Sequence, residues 1–200
     1  MSGNLPILLL AAGASSRMRG RDKLLEPVAG GQPLLAERVA TAQATGQQVL
    51  LALPPRAVAP RRWRHAGSAT TVEVPDPGAG MGASLACLAR ALPAGPAGAA
   101  GAMVLPADMP ELTPEDLRQV LATFKPDRIS RGAGADGRPG HPVLFPAAYF
   151  PQLRRLTGDT GARALLRQAP VRLVPLPARH ALTDLDTPED WQRWRAAGNR

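Results

Sequence analysis

The stretch from Leu5 to Lys23, LPILLLAAGASSRMRGRDK, constrains this chain more than any other. The apolar run Leu5 to Leu10 is too short for a membrane span and suits a buried strand. It breaks into Ala11-Ala12-Gly13-Ala14-Ser15-Ser16, where side chains nearly vanish, and ends among Arg17, Arg19, Arg21 and Lys23, with Asp22 between the last two. A buried strand fixes the start of a loop. Small residues let its backbone approach a ligand, and Gly13 accepts dihedrals that other residues refuse. Successive N–H groups in such a loop cradle anions, and nearby guanidinium and ammonium groups complete a polyphosphate site. The alternative is a strand-to-helix turn with a solvated basic face. The P-loop pattern fails because Lys23 lies between Asp22 and Leu24, and the dinucleotide fingerprint fails because position 15 is Ser.

Composition narrows the partners. The 200 residues suffice for one domain with a sizeable core, and a hydrophobic fraction of 44% argues against disorder. The net charge of +8 invites a nucleic-acid reading, but aromatics are only 4% and no Lys-rich tract or nucleic-acid module is present. An anionic small substrate is a sufficient use for the charge. Cys87 is the sole cysteine, so no internal disulfide forms. With no signal-peptide pattern and no spanning stretch, a cytoplasmic protein without a membrane partner is expected.

Along the chain, strands and helices alternate. Strands are expected near Val49–Leu53, Thr70–Val74, Ala102–Leu105, Arg128–Arg131, from His141 to Phe145, and Val171–Pro175. Helices are expected from Pro33 to about Gly46, weakly over Val58–His65, over Ser84–Leu92, and from Thr113 to about Phe124. Two more run from about Asp159 or Thr160, either a possible cap, to Gln168 and from Thr187 into the C-terminus. Thr113-Pro114-Glu115-Asp116 and Thr187-Pro188-Glu189-Asp190 both read as N-cap, Pro and acidic first turn, which explains those acids structurally. The alternation predicts an α/β three-layer sandwich, Rossmann-like, with a mostly parallel sheet and an antiparallel insertion at 128–146 that adds a hairpin and a substrate-side lid. One domain spans 1–200. Residues 93–101 read as a surface loop, and Cys87 as core.

Four further motifs carry chemistry. Asp76-Pro77-Gly78-Ala79-Gly80-Met81-Gly82-Ala83-Ser84 leads glycines into a helix, an anion-friendly place in which Gly80 and Ser84 are nucleotide candidates. Asp108, in Leu105-Pro106-Ala107-Asp108-Met109-Pro110, leaves the C-terminal end of a buried strand, where open α/β sheets bind ligands. It suits Mg²⁺, which takes one or two carboxylates together with phosphate oxygens and water; the alternative is a turn cap. His141, in Gly140-His141-Pro142-Val143-Leu144-Phe145, is a substrate-contact or structural imidazole, and Pro142 suggests an edge strand or a bulge. Asp184 and Asp186, spaced by two, share a face if the segment is extended, and one of them can complete a metal site with Asp108.

In this order, LAAGASSRM…DKLLEP, DPGAGMGASL, VLPADMP, GHPVLF and DLDTPEDW resemble the MobA-like nucleotidyltransferases from residue 5 to 194, closest to the molybdenum cofactor cytidylyltransferases. The resemblance implies transfer of a cytidylyl group from CTP to the phosphate of a molybdopterin acceptor, with Mg²⁺ and release of pyrophosphate. It implies that Leu10, Ala11, Ala12 and Gly13 hold the nucleotide, that Arg17 and Lys23 meet its phosphates, and that Asp108 and Asp186 bind Mg²⁺. Ser15, Gly80 and Ser84 are further nucleotide candidates, and His141 and Asp184 candidates for substrate contact. Arg17, Lys23 and Asp108 form the catalytic set. One departure is that Gly20 falls one place later than the R-M-G-x-x-K pattern puts its glycine, which leaves the role of Arg19 open. A molybdoenzyme or its chaperone is a further partner. Guanylyl transfer, sugar- or polyol-phosphate acceptors, and a non-catalytic cofactor-insertion role are the alternatives. The residues themselves agree with phosphoryl chemistry: an ionised phosphate nucleophile needs no general base, and the chain offers carboxylates and cations but no convincing nucleophile.

Overall fold

A computed structural model of the chain describes residues 4–92, 98–158 and 161–198. The expected caps Asp159 and Thr160, and most of the loop 93–101, lie outside the described residues. Seven strands form one sheet: β1 (Ile7–Leu10), β2 (Val49–Leu53), β3 (Thr70–Glu73), β4 (Gly101–Pro106), β5 (Ile129–Ala133), β6 (Pro139–Pro146) and β7 (Val171–Pro175), in the order β3-β2-β1-β4-β6-β5-β7. β1 pairs in parallel with β2 and β4, β2 with β3, and β5 with β7; β6 runs antiparallel to both β4 and β5. The expected mixed sheet is therefore present.

The strand residues alternate between two cores. Ile7, Leu9, Met103 and Leu105 enter one face with α1 (Leu34–Gln43), α4 (Pro114–Ala122) and α7 (Pro188–Ala196). Leu8, Ala102 and Val104 enter the other with α3 (Gly80–Arg90), α5 (Phe150–Leu153) and α6 (Arg163–Gln168). A short α2 (Pro60–Trp63) covers the β2 end. Strands buried on both faces read as continuous apolar runs, as β1 and β2 do. Thr113 and Thr187 cap α4 and α7 in full capping boxes closed by Asp116 and Asp190.

Three expectations need correction. β6 is not an edge strand. Pro142 is tolerated because its missing N–H falls outside both ladders: β4 pairing stops at Val104–Val143, and the β5 register shifts between Arg131 and Ala133. The bulge half of the expectation holds. Second, the helix placed at Ser84–Leu92 begins at Gly80, and Ser84 sits one turn inside it with its hydroxyl turned toward the Gly80 carbonyl at 3.5 Å. Glycine is a poor helix former, but α3 lies so close to the chain at 157–158 that a Cβ on Gly82 would meet the Thr157 carbonyl oxygen at 2.6 Å, and the Gly82 N–H donates to the Gly158 carbonyl at 2.8 Å. Tertiary contact overrides propensity there. Third, the segment holding Asp184 and Asp186 is not a strand. Residues 129–133 and 139–146 are strands of the sheet, and Arg131, Gly140 and His141 on them form a wall of the cleft described next.

Candidate active site

The C-terminal ends of β1 and β4 open into a cleft of about 900 Å³. Leu10, Ala11, Ala12, Gly13, Ser15, Arg17, Lys23, Gly80, Ser84, Asp108, His141, Asp184 and Asp186 all line it. Residues distant in sequence meet because β1 and β4 are parallel neighbours in register, Leu10 opposite Pro106, so their exit loops leave side by side.

The first loop is held from behind. Ser15 and Arg19 adopt left-handed dihedrals, with φ of 54° and 53°. The Ser15 hydroxyl accepts from the Lys23 N–H at 3.3 Å and donates to Asp22 at 3.4 Å, so its side chain shapes the loop. Asp22 also caps the following turn at the Leu24 N–H. The main brace is Arg62, buried on α2. Its guanidinium donates to the Ala11 and Gly13 carbonyls at 2.7 and 2.8 Å, to Ser15 Oγ at 3.1 Å, and to both Asp22 oxygens at 2.7 and 2.8 Å. Sequence reasoning missed Arg62. It lies in a weak, proline-interrupted helix, and the only available signal was an arginine on an otherwise unremarkable short element. Arg38 plays a similar part for the second loop: buried on α1, it donates to the Met109 and Leu112 carbonyls at 2.8 and 2.6 Å, just beyond Asp108.

At the cleft floor the charges converge. Lys23 Nζ donates to Asp108 Oδ2 at 2.5 Å and to Asp186 Oδ1 at 2.6 Å, and Arg17 pairs with Asp186 Oδ2 at 2.7 Å. Burial works against the Lys23 charge, but the two carboxylates outweigh it and hold the ammonium pKa above its ordinary value. Asp186 arrives because the Leu185 N–H donates to the Asp108 carbonyl at 3.0 Å and Leu185 is buried, which turns the aspartates on either side toward the cleft. The two-residue spacing therefore does its expected work without a strand. Asp184 has its carboxyl pKa pushed up, first by burial and then by the Asp186 and Asp108 charges. Arg19 and Arg21 face elsewhere, paired with Glu189 at 2.7 Å and Glu26 at 3.2 Å. Arg19 is thus a strut from the loop to α7.

His141 is neutral. Burial, with repulsion from Arg131, takes its pKa down to about 4, against an upward pull from Asp108. Its Nδ1 is buried without a hydrogen-bond partner. Among the described residues no three His, Cys, Asp or Glu side chains are gathered closely enough to hold a metal ion by themselves. Asp108 and Asp186 nevertheless aim oxygens at one shared point, occupied by the Lys23 ammonium, and that donor set fits a hard cation completed by phosphate and water oxygens. Among the described residues no helix is long and apolar enough to cross a membrane.

Residues 7–173 match the profile of the MobA-like NTP transferase domain. The purine catabolism protein PucB of Bacillus subtilis is 33% identical over 103 residues, 50% of this chain and 49% of PucB, so the match spans about half the length of that curated relative. The crystal structure of Rv0371c from Mycobacterium tuberculosis H37Rv is 31% identical and covers 95% of this chain and 97% of its own, with a TM-score of 0.80. A second structure of Rv0371c, in complex with manganese, is 30% identical with the same coverages and a TM-score of 0.76.

Proposed function

The chain belongs to the MobA-like NTP transferase family, and from that premise we propose that it transfers a cytidylyl group from CTP to the phosphate of a molybdopterin-type acceptor, with Mg²⁺, releasing pyrophosphate. The observation that carries the reading is the Lys23 ammonium held between Asp108 and Asp186 at the mouth of the small-residue loop. Cations able to follow phosphate oxygens and carboxylates able to follow a metal are there packed into one point.

Each residue has a part. The backbone from Leu10 to Gly13, pinned by Arg62, receives the nucleotide, with Gly80 and Ser84 across the cleft. Arg17 and Lys23 leave their carboxylates for the triphosphate, neutralising charge that builds on the departing pyrophosphate. Asp108 and Asp186, released by Lys23, hold the divalent ion, and Asp184 beside them adds negative potential. Mg²⁺ when bound supplies Lewis-acid charge to the phosphates; the manganese in the Rv0371c structure supports a divalent ion of this kind. His141 contacts the acceptor.

Pyrophosphate release from each NTP, with and without reduced molybdopterin, tests the proposal. CTP with acceptor should give one pyrophosphate per acceptor consumed, and Asp108→Ala should abolish it while the protein stays folded. A second reading, an accessory protein that binds the cofactor without turnover, draws on the likeness to a protein of purine catabolism. It would prevail if cofactor bound and no NTP gave pyrophosphate.

A further inference from the structure

The cleft has a second basic wall. Arg131 on β5 and Arg163 at the start of α6 both line it, together with His141. Arg17 and Lys23 are engaged with Asp108 and Asp186, whereas among the described residues neither Arg131 nor Arg163 has a carboxylate partner. Arg131 is partly buried, with its Nε on the Gly140 carbonyl at 2.8 Å and Nη2 on the Pro139 carbonyl at 3.4 Å. Those bonds orient the guanidinium without neutralising it. Burial and then the Arg163 charge lower the Arg131 pKa. Two like charges that line one cleft repel each other, and an anion bound between them offsets that repulsion.

We propose that Arg131 and Arg163, with the His141 imidazole, form the subsite that receives the phosphate monoester of the acceptor. The assignment rests on the nucleotidyl-transfer reading and gives the acceptor a docking place distinct from the loop that grips the nucleotide. Arg131, His141 and Arg163 line the same cleft as Asp108 and Asp186, so this wall shares the space in which the nucleotidyl-transfer reading puts the triphosphate. A phosphate dianion is matched by the Arg163 fork together with the Arg131 N–H groups not spent on the Pro139 and Gly140 carbonyls. In the transfer step an acceptor phosphate oxygen bonds to the α-phosphorus of the NTP. The bond from that phosphorus to the α,β-bridging oxygen breaks, and its electron pair leaves with pyrophosphate. The nucleophile is already ionised near neutral pH, so no proton is taken from it.

Inorganic phosphate is the probe. It is titrated calorimetrically into the full-length protein and its Arg163→Met, Arg131→Met and Lys23→Met variants. Arg163 is exposed on a short helix, so its replacement leaves the core intact. Phosphate affinity should fall about tenfold or more in each arginine variant, and stay within about threefold of the parent protein in Lys23→Met. Equal affinity in the parent protein and Arg163→Met, loss confined to Lys23→Met, or no phosphate binding by the parent would each overturn the subsite. Binding of α,β-methylene-CTP is followed in parallel: its absence from the parent protein would remove the nucleotide reading, while the phosphate titration would still decide the arginine pair. With reduced molybdopterin and glucose 1-phosphate offered as acceptors, Arg163→Met should raise KM about tenfold for whichever is used, and leave KM for CTP within about twofold.

Discussion

Arg62→Ala is the most demanding perturbation of the nucleotide loop. The side chain is 3% exposed and makes five hydrogen bonds, two to carbonyls of the loop and two to one carboxylate. Removing it leaves the Asp22 carboxylate and the Ala11 and Gly13 carbonyls without their donor. Breaking a buried ion pair by deleting one partner costs about 3–5 kcal/mol. The Asp22 side chain is 25% exposed and recovers some solvation, so about 3 kcal/mol is the expected loss. For a chain of this size that lowers the melting temperature by roughly 6–12 °C. The loop should loosen more than the core, because the core strands do not depend on Arg62. CTP affinity should therefore fall by about tenfold or more, beyond any loss of folded protein. Thermal melts and calorimetric CTP titration well below the melting temperature measure both. Asp22→Asn should soften the stability penalty in the double variant, because the stranded charge is then gone. A variant that melted within a degree of the parent and bound CTP equally well would refute the claim that Arg62 holds the loop.

Other outcomes follow from the same geometry. Lys23→Met should abolish turnover and, without nucleotide, tighten Mn²⁺ binding measured by electron paramagnetic resonance, because the ammonium no longer competes for Asp108 and Asp186; unchanged Mn²⁺ affinity would argue against a shared site. Asp184→Asn should raise the metal-free melting temperature at pH 7. A carboxyl whose folded pKa is raised is strained when ionised, so removing the charge stabilises the protein above its ordinary titration range. His141 has its folded pKa lowered to about 4 from 6.5, so its neutral form contributes stability that is complete above pH 6.5 and is lost as pH falls toward 4. His141→Gln should flatten that part of the acid unfolding curve, and an identical curve would count against the burial of an uncharged imidazole. Arg19→Ala should leave stability nearly unchanged, as expected of an exposed ion pair with Glu189, which chemical denaturation can check.

What the sequence determined by itself was local. An apolar run between turn residues has few alternatives to a buried strand, so β1, β2 and β4 were legible. Thr113 and Thr187 announced their helices because a capping box is closed within four residues. The small-residue loop, Lys23, Asp108 and the pair Asp184 and Asp186 could be singled out since their chemistry is unusual for their positions, while the choice within that pair came only from the family resemblance. Tertiary structure decided what depends on distant partners. Pro142 looked like an edge residue until two ladders were seen to end beside it. Gly80 and Gly82 read as the approach to a helix, and only the chain at 157–158 packed against Gly82 shows why they lie inside it. Arg62 and Arg38 look like ordinary helix arginines in sequence, and their buried guanidiniums acquire meaning only from the carbonyls folded around them. A hydrogen bond across 51 positions, such as Arg62 to Ala11, leaves no periodic trace in a sequence, because its geometry is set by the crossing of whole elements and not by neighbouring residues.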